Sequence, residues 1–125
     1  PAIVFPEPCP YDVTQDLPTQ LFLAYDAMKR VKEKGKRVES LAYTYYFGAR
    51  LHLMTPTEKS TIQGKYTSYF IRATTRLYYL FEPFGVEQLH RTTHTKLSMI
   101  ANLKKEEFQC LCQYEPVEHA FFGEE

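Results

Sequence analysis

The side chains best suited to chemistry in this chain are cationic, and they are clustered. Lys29, Arg30, Lys32, Lys34, Lys36 and Arg37 crowd into one short segment, with Glu33 the only acid among them. Farther along, Lys65, Arg72 and Arg76 stand at i, i+7 and i+11, a spacing that puts them on one stripe of an α-helix beside Ser68 and Tyr79. Ammonium, guanidinium and hydroxyl groups in a row suit phosphate oxygens, so the stripe predicts contacts to a nucleic-acid backbone. Arg91 and Lys96 would extend that surface, followed by Lys104 and Lys105. A basic run can also do no more than solvate a helix face, so the charge distribution of the whole chain has to be weighed with it.

That distribution is lopsided. Fifteen bases balance fifteen acids to a formal net charge of zero, yet every Lys and Arg lies between Lys29 and Lys105. Only Glu33, Glu39, Glu58, Glu82 and Glu87 stand among them, and the other acids occupy two ends that carry no base. Such asymmetry points to a polyanionic partner, a nucleic acid with DNA as the first expectation, or to an acidic protein surface. The acidic ends could equally fold back on the basic middle, or pair with a second subunit in a homodimer.

Aromatic residues form the second constellation: ten Tyr and nine Phe with no Trp. Tyr43, Tyr45, Tyr46 and Phe47 form one dense run, and Tyr78, Tyr79, Phe81 and Phe84 another. So many rings in so few positions cannot all face one core. Those at the surface suit protein interfaces or the stacking of bases. This supports a second expectation, a non-enzymatic adaptor or inhibitor that uses a Tyr/Phe-rich helical surface.

Metal and catalytic chemistry are poorly represented. His90 and His94 are four apart, and Cys110, Cys112 and His119 follow. These are zinc-type ligands, but one residue separates the cysteines where paired zinc ligands usually have two to four. No metal and no cofactor are expected. There is no Gly-rich phosphate loop, nucleophile elbow, metalloprotease helix motif or evident carboxylate pair. Cys9 lacks a basic neighbour to lower its pKa, and His52 is expected to be a satisfied or surface histidine. No catalytic residue is assigned and no enzymatic activity is expected.

The elements that must position these groups follow from period and punctuation. At 125 residues and 44% apolar content, the chain can bury a core. No apolar run approaches the ~18 residues of a membrane span, the first residues do not resemble a signal peptide, and three cysteines do not make a disulfide framework. A cytoplasmic protein without membrane contact is expected. Residues 1–16, with Pro1, Pro6, Pro8 and Pro10, form a proline-rich extended arm that Ile3, Val4, Phe5 and Tyr11 could pin in place. Residues 17–115 form a single helical domain, and residues 116–125 an acidic tail.

Within the domain, Asp16 caps a first helix with Leu21, Ala24, Tyr25, Met28 and Val31 on its apolar face, ending at Gly35. A second helix spans Arg37 to Met54. Thr55-Pro56-Thr57-Glu58 is a capping box that opens a long third helix running to Glu82, stopped by Pro83 and Gly85. A short helical turn covers Val86–Arg91. Alternation at Thr93, Thr95, Leu97 and Met99, repeated over Phe108–Tyr114, predicts a C-terminal β-hairpin; the rival is a helix beginning after Asn102. The expected fold class is therefore mainly α, a three-helix core with a long third helix and a C-terminal β-hairpin, in a winged-helix-like layout. The expected function is that of a small regulatory protein binding nucleic acid through Lys65, Arg72, Arg76, Arg91 and Lys96.

Overall fold

Capping chemistry sets most of the element boundaries. The Asp16 carboxylate accepts from the Thr19 amide at 2.8 Å, and Pro18 lies in the first turn, so α1 occupies Leu17–Glu33. Gly35 turns the chain at φ +76°, with its amide on the Lys32 carbonyl and the Lys36 amide on that of Val31, both at 3.0 Å. α2 follows directly at Arg37–His52. The computed structural model describes residues 10–113; the proline-rich arm up to residue 9 and the acidic tail of 116–125 lie outside the described residues, and Cys9 and His119 with them.

The capping box forms as its spacing requires. The Glu58 amide donates to Thr55 Oγ1 at 3.1 Å, and the Thr55 amide donates to Glu58 Oε1 at 3.0 Å. The helix it opens, α3 at Pro56–Ser60, is nevertheless one short turn rather than the start of a long third helix. The chain breaks between residues 61 and 67, where Gly64 takes φ +83°. Gly disfavours helix, and Thr67 supplies a competing start by accepting from the Phe70 amide at 3.0 Å. α4 therefore occupies only Ser68–Phe81. The break brings Ile62 and Tyr66 inward against α1 and α2.

A second correction concerns the C-terminal part. The described residues contain no strand, so the β-hairpin and the winged-helix-like layout are replaced by two helices: α5 at His94–Asn102 and α6 at Lys105–Gln113. Thr93 is an N-cap, accepting from the Lys96 amide at 3.1 Å. Leu97, Ile100 and Ala101 are buried at helical spacing, whereas Met99, the strand pattern's partner to Leu97, is 65% exposed. At α6 the Glu107 carboxylate accepts from the Lys104 amide at 2.8 Å, half of a capping box. The rival helix after Asn102 is thus the one that forms. A 3₁₀ segment at Val86–Arg91, after Gly85 at φ +93°, links α4 to α5.

The result is a helical bundle with α2 at its centre, packed on α1 and on α4. One buried cluster joins Leu41 and Ala42 of α2 to Leu77 and Phe81 of α4, Leu89, and Leu97 and Ile100 of α5. The other joins Tyr11 and Leu21 to Phe47, Leu51, Met54 and Ile62. Tyr11 is held at the arm's base, its hydroxyl accepting from Arg50 Nε at 2.9 Å.

The helices α2 and α4 touch at Gly48. A Cβ placed there would fall against the Thr74 carbonyl oxygen and 2.9 Å from the Tyr78 Cβ. Ala is intrinsically better in a helix by about 1 kcal/mol, but overpacking against backbone outweighs that gain. Gly48→Ala is expected to lower stability by about 2 kcal/mol in urea unfolding, with an unchanged denaturant slope.

Candidate nucleic-acid interface

The five basic residues expected to bind phosphate are not brought together. Arg76 is buried, only 8% exposed. Its Nη1 donates to the Ile100 carbonyl at 2.6 Å and to the Leu103 carbonyl at 2.8 Å, and its guanidinium lies 4.6 Å from the centre of the Phe108 ring. Arg72 Nε donates to the Ala101 carbonyl at 2.7 Å. Both arginines therefore serve the C-terminal carbonyls of α5, groups that lack helical partners and sit at the negative end of the helix dipole. Lys65 lies apart, exposed in the turn before α4. Arg91 and Lys96 are half-buried on either side of the Thr93 cap.

The solvent-facing cations concentrate at the turn between α1 and α2. Lys32, Lys34, Lys36 and Arg37 are all exposed there, with Lys29 and Arg30 one turn earlier on α1. Arg30 Nε pairs with Asp26 at 3.1 Å, and Lys36 Nζ approaches Glu39 at 3.9 Å; both pairs are exposed and weak. The start of α5 packs beside this turn. His94 hydrogen-bonds the Arg37 backbone, and its Nε2 is buried without a partner among the described residues. Burial holds its imidazole below the ordinary value, reinforced by the positive charges of Lys32 and Arg37 and partly offset by the Arg37 backbone bond.

From this basic end a groove runs along α1. One hollow of about 430 Å³ is lined by Tyr25, Met28, Lys29 and Lys32 on α1 and by Thr67, Tyr69 and Phe70 opposite, with Glu33 at its edge. A second, of about 300 Å³, lies between Thr19 and Phe22 on α1 and Ile62, Lys65 and Tyr66 opposite, with Asp16 at its end. The floor is an edge-to-face aromatic cluster. Tyr25 stands 5.1 Å from both Tyr66 and Phe70, and Phe47 closes it from below at 5.0 and 4.9 Å from the same two rings. Lys29 Nζ sits 5.3 Å from the Tyr25 ring centre. Phe22 and Tyr69 remain 57% and 41% exposed.

Phe22 belongs to neither dense aromatic run, and Tyr69 falls among the apolar residues whose spacing reads as the core face of a helix from Ile62 to Phe81, yet it is 41% exposed. The available signal was phase: Phe22 stands off the stripe made by Leu21, Ala24 and Met28, so a large ring there has to face outward.

Among the described residues no three His, Cys, Asp or Glu side chains converge on a common point, and His90, His94, Cys110 and Cys112 do not assemble. No helix among them is long and apolar enough to cross a membrane. Comparison with protein-family models, curated proteins and solved structures gives no match.

His94 makes the basic end sensitive to acid. Its folded pKa lies below the ordinary 6.5, so the unfolded chain takes up the proton first as pH falls. The stability held above pH 6.5 is then lost progressively toward the lower, folded value. Urea unfolding across this window should show that decline, and His94→Gln should flatten it relative to the unmodified chain.

Proposed function

We propose that the protein is a non-enzymatic nucleic-acid-binding protein whose contact surface is the basic end built from the α1–α2 turn and the start of α5. The observation that carries this reading is the placement of Lys36 and Arg37. They stand at the N-cap and first position of α2, where the helix dipole disfavours cations by about 0.3–1 kcal/mol each. Lys36 provides no side-chain cap bond. Two bases where local energetics call for Asp or Ser are a departure of the kind found at functional sites. Phosphate oxygens would be met there by ammonium and guanidinium groups and by the first-turn amides of α2.

A second reading, a protein interface, has support elsewhere on the surface. Tyr79, 61% exposed, lines a hollow of about 540 Å³ with His52, Tyr78, Pro83, Phe84 and Cys112. An aromatic protein contact needs no steep salt dependence, whereas phosphate binding does.

The test is a titration of labelled oligonucleotides at several salt concentrations. Lys34→Gln, Lys36→Gln and Arg37→Gln together should weaken binding and reduce the log–log salt slope by about 0.7–0.9 for every phosphate that is no longer neutralised. Thermal stability should be unchanged or slightly raised, because two cations leave a helix start. Absence of binding to any nucleic acid at low salt would favour the protein-interface reading.

A further inference from the structure

We infer that the groove along α1 is a path for single-stranded nucleic acid, whose unpaired bases stack on Phe22 and Tyr69. The inference rests on the nucleic-acid reading above and adds to it the form of the ligand. The two hollows lie in line, because Phe22, Tyr25, Lys29 and Lys32 follow one face of α1 at spacings of three and four. From Phe22 to Lys32 that face extends about 15 Å, room for a short run of nucleotides.

Two physical features select the occupant. Large rings that stay open to solvent beside an aromatic floor offer flat surfaces to flat ligands, and stacking is indifferent to base identity. Lys29, Lys32 and Lys65 stand along the margins, and the groove leads through Lys32 onto the basic end. Cations beside aromatic platforms match a strand with phosphates on one side and bases on the other. A duplex keeps its base faces stacked internally and presents only edges, so it cannot use the rings. The groove's acids do not cancel this arrangement: Asp16 is committed to capping α1, and Glu33 lies at the rim next to Lys29 and Lys32.

The experiment measures fluorescence anisotropy of the full chain with a labelled single-stranded DNA of about 12 nucleotides, the RNA of the same sequence, and the corresponding DNA duplex, all at low salt. Both single strands should bind more tightly than the duplex. Phe22→Ala with Tyr69→Ala should weaken single-strand binding about tenfold or more while leaving duplex binding unchanged. Tyr69→Phe, which keeps the ring, should retain affinity. Phe22→Trp should retain affinity too, and its emission should be quenched by the single strand and not by the duplex, a readout independent of the alanine variant's folding. Equal affinity for duplex and single strand, with the double alanine variant binding both normally, would overturn the inference and leave binding by the basic end intact. Failure of all three nucleic acids to bind would overturn both.

Discussion

The guanidinium of Arg76 is the point on which the C-terminal half depends. α5 is a helix of nine residues, too short to persist in water on its own. Its last carbonyls lack helical partners, and a buried one such as that of Ile100 would cost about 1–3 kcal/mol if left unsatisfied. Arg76 answers two of them and Arg72 a third, from adjacent turns of α4. Burial and the neighbouring charge of Arg72 lower the pKa of Arg76, with Cys112 acting weakly in the opposite sense, yet guanidinium remains charged at any ordinary pH. The same group lies against Phe108, which together with Leu111 and Cys112 packs α6 on the buried cluster although none of its residues is fully buried.

This arrangement divides the basic residues by task. Those of α4 fasten α5, Arg76 from a buried position and Arg72 from an exposed one, and those of the α1–α2 turn are left to solvent. Helical spacing alone could not separate the tasks. A stripe at i, i+7 and i+11 looks the same whether it meets a phosphate or the carbonyl end of a neighbouring helix, since both are negative acceptors. The distinction depends on where α5 lies, and that is a tertiary fact.

Much of the architecture was legible locally. Asp16, Gly35, the Thr55–Glu58 box and the Pro83–Gly85 stop are short-range devices, and each acts where it stands in the chain. Local signals lose their meaning where two of them compete. Thr67 and Gly64 together outweigh the apolar continuity of Ile62 to Leu77, so one expected helix became two. Over residues 93–113 alternation and helical period coexist, and burial of Leu97, Ile100 and Ala101 decides for the helix. The groove along α1 was hidden for the same reason. Its far wall exists only because the chain breaks after α3 and carries Ile62, Lys65 and Tyr66 across to α1.

The two ends of α5 have contrasting chemistry. At its C-terminus the helix is tied by guanidinium groups that keep their charge across the biological range. At its N-terminus it carries His94, an imidazole already pushed toward neutrality by burial and, to a lesser degree, by the charges of Lys32 and Arg37. Acidification therefore acts on one end and not the other. A proton gained at His94 would place a third positive charge in a partly buried site beside Lys32 and Arg37, so the cost of acidification falls on the N-terminal end of α5.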